Sequence, residues 1–204
     1  DLAAWAKECP GSSDVVPVDI SYDESVAQAA EQIGDVDGVV FLAGVYWPMK
    51  AADWNPSQVT AMFDINLTGA ARVLGHVVPK MVARNSGHIV LTGSLSGFRG
   101  LPGAIGYGAS KAGLMYLAES MYADLRNTGV DVQLINPGFI KTRLTDKNDF
   151  NMPFIMEPEQ AAREFVEHMA ADSFAKNFPR GFGAMFRLSQ FLPDWLYYRI
   201  AGRG

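Results

Sequence analysis

The sequence predicts an α/β fold with a doubly wound parallel sheet. Short apolar segments alternate along the chain with longer segments of helical spacing, which is the pattern of repeated strand–helix units. Two of the apolar segments carry almost no polar side chain, as expected for strands that are covered on both faces. The 204 residues are enough for one domain with a sizeable core.

Four short segments have strand character. Residues 14–20 form a valine-rich stretch, and residues 36–43 and 88–92 are the two almost purely apolar segments. Residues 130–135 complete the set and run directly into an Asn-Pro-Gly turn. In an open parallel sheet, ligands bind beyond the carboxyl ends of strands such as these.

The segments between the strands have helical spacing. Ser21 and Glu24 have the spacing of a capping box, which predicts a helix start. Pro56 suits the first turn of a helix, and Gly129 suits the end of one. The predicted helices are residues 21–33, 56–83 (as one helix or two), 108–127 and 158–170.

The stretch 173–204 differs from the rest of the chain. Five basic residues and one acidic residue give it a charge of +4, so the remainder carries −9, and eight of its residues are aromatic. Its prolines and glycines argue against a single unbroken helix. We expect residues 1–172 to form the main domain and residues 173–204 an extension of it. The extension either touches a lipid surface weakly or buries its aromatic rings against the sheet or a second subunit.

Composition excludes several classes of function. The net charge of −5 has the wrong sign for a nucleic-acid binder. The single cysteine, Cys9, rules out a disulfide framework, and the three scattered histidines predict no metal site. We read His168 as a helical surface residue. No run of apolar residues is long enough to span a membrane, and no signal peptide is recognisable, so we expect a cytoplasmic protein.

Four polar residues stand at spacings that suggest acid–base chemistry. Tyr107 and Lys111 are four residues apart, so they share one face of a helix. A tyrosine has a pKa of about 10, and a nearby ammonium group lowers it. Ser94 ends a predicted strand thirteen residues before Tyr107, and Asn66 precedes Ser94 by twenty-eight.

With the segment Pro137-Gly138-Phe139-Ile140-Lys141-Thr142, this order and spacing resembles the short-chain dehydrogenase/reductase family from about residue 1 to residue 142. The resemblance implies a Rossmann-like sheet and hydride transfer between a nicotinamide cofactor and a carbonyl or alcohol. Tyr107 would be the acid–base, Lys111 would lower its pKa and bind the nicotinamide ribose, and Ser94 would hold the substrate oxygen. Asn66 would anchor a water that links Lys111 to solvent.

The same resemblance implies a binding site for NAD or NADP, without showing which. At Phe41-Leu42 the chain departs from the two asparagines usual before Ala-Gly in this family, whose amides cross-link neighbouring strands. The residues that would bind the cofactor are Asp19, Ala43, Gly44, Tyr107, Lys111, Pro137, Gly138, Ile140 and Thr142.

No glycine-rich phosphate-binding loop is found near the first residue. By comparison with the family, about 45 residues and two strands are missing, so the fold would be N-terminally incomplete. Residues 14–20 would then have no neighbouring strand, and residues 36–43 would form a bare apolar edge. The sequence is cropped, or a truncated form that assembles differently, or a decayed enzyme. Because the phosphate-binding loop is absent, the alternative to an oxidoreductase is a non-catalytic binding or scaffolding protein.

The resemblance also bears on partners. In this family the two long helices, here about 57–84 and 107–127, commonly pair across the axis of a homodimer or homotetramer. Residues 144–156 occupy the position of the substrate loop. Because this loop contains phenylalanines and methionines, we expect a small apolar substrate.

Overall fold

The computed structural model describes residues 2–9 and 11–202. In the described chain, the helices are α1 (Leu2–Glu8), α2 (Asp23–Ile33), α3 (Pro56–Phe63), α4 (Gly69–Arg84), α5 (Ile105–Leu125), α6 (Pro158–Met169), α7 (Arg180–Ser189) and α8 (Asp194–Ala201). The strands are β1 (Gly38–Phe41), β2 (Gly87–Thr92), β3 (Val130–Pro137) and β4 (Ala175–Phe178).

The four strands form one parallel sheet in the order β1-β2-β3-β4. Side chains alternate between its faces, so Ile89 and Leu91 lie in a core with α4 and α5, and Val90 faces the opposite side. There, Val90 and Ile135 pack with α6 residues such as Ala161. Helices therefore cover both faces of a parallel sheet, and the predicted α/β fold class is confirmed.

The first predicted strand is wrong. Residues 14–20 form no regular strand, and Val15 and Val18 are exposed. A strand needs a hydrogen-bonded neighbour, and in the described chain no strand lies beside this segment. Side-chain contacts hold this segment instead. The Asp19 backbone N–H donates to the Ser25 hydroxyl, and the Ile20 carbonyl accepts from Arg72.

The predicted capping box is also wrong. Helix α2 begins at Asp23, and its preceding residue, Tyr22, makes no side-chain cap. The Ser21 hydroxyl donates to the Asp19 carboxylate and is not used for capping. A capping box does occur at α6, between Glu157 and Gln160.

The expectation that His168 lies on a helix surface is wrong. His168 is 2% exposed, and its ring nitrogens lie within hydrogen-bonding distance of the Ser173 hydroxyl and the Phe174 carbonyl. Burial is the main cause of its lowered pKa. The stretch after residue 173 contributes β4 to the sheet, followed by two short helices, in agreement with the prediction that no single helix spans it.

Candidate active site

All four strands point their carboxyl ends at the same edge of the sheet, where the candidate residues converge. The chain leaves β1 towards Gly44, β2 towards Ser94 and β3 towards Gly138. Because the strands are parallel and hydrogen-bonded in sequence, these segments are neighbours at one edge.

Asn66 connects this edge to the helices. It lies in a π-helical turn, Asp64–Thr68, between α3 and α4, and it is fully buried. Its Oδ1 accepts from the Val45 backbone N–H at 2.7 Å, and its Nδ2 donates to the Val45 carbonyl and the Ser110 hydroxyl, both at 3.0 Å. Asn66 thereby fixes the chain just after Gly44 against α5.

Lys111 is buried at the centre of the site. It lies on α5, is 4% exposed, and donates from Nζ to the Thr92 carbonyl at 2.7 Å. Burial without a carboxylate partner disfavours its charged form and lowers the pKa of Lys111 to about 8. Its ammonium also lies beside Gly44, where an added Cβ would stand 3.7 Å from Nζ.

Tyr107 lies one helical turn before Lys111, with the Lys111 Nζ 5.9 Å from the centre of its ring. Burial raises the pKa of Tyr107, and hydrogen bonding with the Ser94 side chain opposes this increase. The pKa of Tyr107 is therefore raised by burial and is not lowered by Lys111 as expected. The ammonium group is directed at Thr92, and loss of solvent has the larger effect on the phenol.

Ser94 is 8% exposed and lies between the end of β2 and a short 3₁₀ turn. Its Oγ accepts from the Ser96 hydroxyl at 3.0 Å and from the Ser96 backbone N–H at 3.3 Å. Because these bonds use its acceptor capacity, its own hydrogen is the one that Ser94 can donate in its hydrogen bond with the Tyr107 side chain.

The residues expected to bind a cofactor do not all lie together in the structure. Gly44 and Pro137-Gly138 lie at the strand ends, and Ile140 pairs with Met156 in an isolated β-bridge. Ala43 and Thr142 are exposed. Asp19 is exposed in the segment before α2, and no described contact joins it to Tyr107 or Lys111.

The structure adds three residues that the sequence did not reveal: Tyr46, Lys147 and Asn148. The Tyr46 ring meets the Tyr107 ring edge-on with 4.9 Å between centroids, and its hydroxyl donates to Asn148 Oδ1 at 2.9 Å. Lys147 Nζ donates to the Tyr46 carbonyl at 2.8 Å. The loop around Asn148 thus holds Tyr46, which in turn packs on Tyr107. Tyr46 and Asn148 are about a hundred residues apart, so no local pattern indicates this contact.

Two buried polar atoms lie without a described partner at this edge, Thr92 Oγ1 and Asn136 Oδ1. The Asn136 Nδ2 donates to Asn177 Oδ1 at 2.9 Å, which joins the ends of β3 and β4. Within residues 2–9 and 11–202, no group of three potential metal ligands is found.

An aromatic cluster lies beside the site. Phe182 of α7 packs 5.5 Å from Phe154 and 6.0 Å from Phe139, with Phe186 at 5.0 Å. Phe139 also meets Phe150 at 5.9 Å. These rings form an apolar wall next to the end of β3.

Comparison with known proteins gives the family. The family model described as "short chain dehydrogenase" matches residues 1–152. The chain belongs to the short-chain dehydrogenase/reductase family. The predicted resemblance is confirmed, and with it the class of NAD(P)-dependent oxidoreductase, while the comparisons lend no support to a non-catalytic protein.

Relatives in sequence and solved structures of similar fold agree with this family assignment. An "Uncharacterized oxidoreductase" of Myxococcus xanthus is 40% identical over 194 residues, which are 95% of this chain and 76% of that protein. "Estradiol 17-beta-dehydrogenase 1" of Rattus norvegicus is 38% identical over 150 residues, 71% of this chain and 43% of that protein. The fold matches a short chain dehydrogenase from Burkholderia cenocepacia in complex with NADP, with a TM-score of 0.81 and 19% identity over 92% of this chain and 80% of that one.

No described helix is both long and apolar enough to cross a membrane.

Proposed function

We propose that this chain carries the active site of an oxidoreductase that transfers hydride between NAD or NADP and the carbonyl or alcohol carbon of an apolar small molecule. The observation that carries the proposal is the meeting of Ser94, Tyr107 and Lys111 at the carboxyl ends of adjacent parallel strands. Asn66 supports the same edge from the helical layer.

The residues present fit a nicotinamide cofactor. A Cβ at Gly44 would stand 3.3 Å from Asn66 Oδ1, so glycine keeps the space in front of Lys111 open. Lys111 supplies a donor there, and the turn from Pro137 to Thr142 supplies the opposite side. When bound, the cofactor supplies or accepts the hydride, and its solved complex with the Burkholderia cenocepacia relative supports its assignment here.

Ser94 and Tyr107 act on the substrate oxygen. With substrate bound, Ser94 donates its hydroxyl hydrogen to that oxygen, where negative charge develops, in place of its hydrogen bond with Tyr107. Tyr107 gives its proton to the oxygen in reduction and takes a proton from the alcohol in oxidation. Because burial raises the pKa of Tyr107, the phenol is protonated at neutral pH and ready for reduction.

The proton that Tyr107 gives away is replaced from solvent through Lys111, and Asn66 holds the water on that route. The space in front of Gly44 is bounded by Asn66 Oδ1 and Lys111 Nζ. A water in that space has two polar partners and extends the route from Lys111 towards solvent. Since Asn66 already makes three hydrogen bonds, it holds its position while the proton moves.

The substrate is proposed to be apolar. Phe150 and Phe154 stand half or more exposed beside Phe139, at the mouth of the site. Such rings bind hydrocarbon and exclude water. The rat relative, whose name gives estradiol as the compound acted on, is consistent with this choice.

The decisive experiment compares two tyrosine variants in assays with NADH and NADPH against a panel of aldehydes and ketones. Tyr107→Phe should lower kcat by about 10²–10⁴, since it removes the proton donor. Tyr122→Phe is the matched control, because Tyr122 stacks on Phe174 away from these strand ends. Equal rates for the two variants would reject the role of Tyr107. Calorimetric titration with each cofactor tests binding separately from turnover.

We also propose that the protein forms a homodimer or homotetramer through α4 and α5. Ala109, Tyr116, Ser120 and Ala123 recur at helical spacing and are exposed on α5. Tyr116 is 74% exposed, so a charge placed there would lie within the contact. Tyr116→Glu should reduce the mass measured by light scattering, and the equally polar change Val166→Glu on α6 should not.

We place the protein in the cytoplasm, where the single thiol of Cys9 stays reduced. A tagged full-length protein should fractionate with cytoplasmic markers or with the inner face of the membrane.

A further inference from the structure

Helices α7 and α8 present an unusual surface. Five of the eight aromatic residues in the stretch after 173 are buried or half-buried, but Phe191, Trp195 and Tyr198 are not. Phe191 is 82% exposed and Trp195 68%. Together with neighbouring aliphatic side chains they form what we call the α7–α8 ridge: Met185, Leu188, Phe191, Trp195, Tyr198 and Ile200.

The ridge is held in a fixed place. Arg99 donates to the carbonyls of Ser189 and Leu192 at 2.6 and 2.7 Å, which ties the turn between the two helices to the loop after β2. The guanidinium group also lies 4.0 Å from the centre of the Tyr197 ring. The Tyr197 hydroxyl in turn donates to the Gly100 carbonyl. The exposed rings are therefore displayed by packed helices with their inner sides anchored.

Positive charge accompanies the ridge. Arg180, Arg187 and Arg199 are exposed on the same two helices. Across the described residues none of the three makes an ion pair, whereas the partly buried Arg99 and Lys176 both do. These three exposed guanidinium groups lie on the helices that also carry the exposed rings, and they contrast with the −9 carried by residues 1–172.

We propose that the α7–α8 ridge docks the protein onto an anionic lipid surface. Tryptophan, tyrosine and phenylalanine rings settle at the boundary between headgroups and acyl chains, and arginines beside them bind lipid phosphates. A second copy docked through the same face would bring arginines against arginines across a two-fold axis, so charge favours the lipid over self-association.

The ridge lies close to the apolar wall of the site. Phe182 faces inwards from α7 and packs on Phe139, Phe154 and Phe186, while Met185 and Leu188 face outwards. One short helix thus has its inner side at the cleft and its outer side on the proposed lipid surface. The docking stands independently of the proposed activity.

The test is co-sedimentation of the full chain with vesicles of phosphatidylcholine alone and of phosphatidylcholine and phosphatidylglycerol in equal parts. We expect binding to the anionic vesicles at low salt, and its loss at high salt. Arg187→Gln should reduce the partition coefficient about fivefold, the equivalent of about 1 kcal/mol per basic residue. Phe191→Ser with Trp195→Ser should reduce it about tenfold or more.

Matched controls are available on α6, where Arg163 and Val166 are exposed in the same way. Arg163→Gln and Val166→Ser should leave the partition unchanged. Circular dichroism and the hydride-transfer assay, run on each variant, separate loss of docking from loss of fold and from loss of activity.

Three results would overturn the proposal. The wild-type protein stays in the supernatant with anionic vesicles at low salt, or the ridge variants bind as well as the α6 controls. Alternatively, the ridge variants dissociate an oligomer in light scattering while vesicles bind nothing, which would assign the ridge to a second copy.

Discussion

Lys111 places a cation in a site that disfavours charge. Its ammonium group has one described hydrogen-bond partner, the Thr92 carbonyl, and burial is the cause of its lowered pKa. At neutral pH the native state must therefore hold a charge that would be more stable in water. The requirement for a donor beside the proposed cofactor and substrate positions explains why such a residue is retained.

The cost of this charge should be visible in stability. The pKa of Lys111 falls from 10.5 in the unfolded chain to about 8 in the native protein. Between these values the unfolded chain binds more protons, so the free energy of unfolding rises with pH. Relative to Lys111→Met, the wild type should gain up to about 3 kcal/mol across that interval.

Denaturant unfolding at several pH values measures this difference. The exposed Lys50→Met variant is the control, and its difference from wild type should stay flat. A flat difference for Lys111→Met as well would show that Lys111 titrates alike in both states.

The sequence predicts residues of the site where a local spacing exists. Tyr107 and Lys111 share a helical turn, and Ser94 follows an apolar strand. The local pattern therefore predicts each of the three as a site residue. Tyr46 and Asn148 have no such signal, because their contact depends on how a loop folds back across the sheet edge. The pKa direction of Tyr107 likewise depends on burial, which spacing does not reveal.

At the scale of elements, Gly93, just beyond β2, leaves room for the Asn136 side chain near the end of β3 and for Met115 of α5. A Cβ there would stand 2.0 Å from Asn136 Oδ1 and 2.9 Å from Met115 Cγ. Gly93→Ala must displace Asn136 and strain its hydrogen bond to Asn177. We expect a loss of about 1–3 kcal/mol in the free energy of unfolding.

Gly181→Ala is the counterpart of Gly93→Ala, since nothing lies within 4 Å of a Cβ at that position on α7. It should be neutral or stabilise the protein by up to about 1 kcal/mol. Urea denaturation of both variants gives the comparison, and equal effects would contradict the close approach at Gly93.

Arg99 joins the loop after β2 to α8 and to the turn that precedes it. Its pair with Asp194 adds little, because that carboxylate is largely exposed, so the two carbonyl contacts and the Tyr197 ring matter more. Arg99→Ala should lower the free energy of unfolding by about 2 kcal/mol. Amide hydrogen exchange should accelerate in α8 before it does in α5.

For Arg99 the control is Arg163→Ala on exposed helix α6, where we expect a change within about 0.5 kcal/mol. Protection of α8 that stays the same in Arg99→Ala would mean that other contacts hold the helix.

Elements with strong periodicity were predictable, and those that depend on a partner were not. The apolar strands β2 and β3 and the long helix α5 lie where the pattern places them, within a few residues. Residues 14–20 have the composition of a strand, but in the described chain no strand lies beside them. The prediction of a strand from composition is therefore wrong. β4 is the opposite case. Its sequence, Ala-Lys-Asn-Phe, has no strand pattern, and the segment is a strand because it pairs with β3.

At the scale of the whole molecule, the sheet is unevenly protected. In the described chain β1 bonds to β2 on one side and to no strand on the other. Val40 is 40% exposed, and Leu42, just beyond the strand, is 63% exposed. A flat apolar edge with unpaired backbone groups is a template for pairing with another chain.

This edge offers the described chain a second route to association, separate from the proposed contact through α4 and α5. We expect molecules of this chain to associate through β1, and Val40→Lys to suppress that association, because a charged side chain on an edge strand blocks a second strand. Sedimentation velocity over a range of concentrations, with light scattering on heating, measures the effect. Val166→Lys, which adds the same charge to an exposed valine on α6, separates edge protection from simple repulsion. If both lysine variants suppress association equally, net charge and not the β1 edge is responsible.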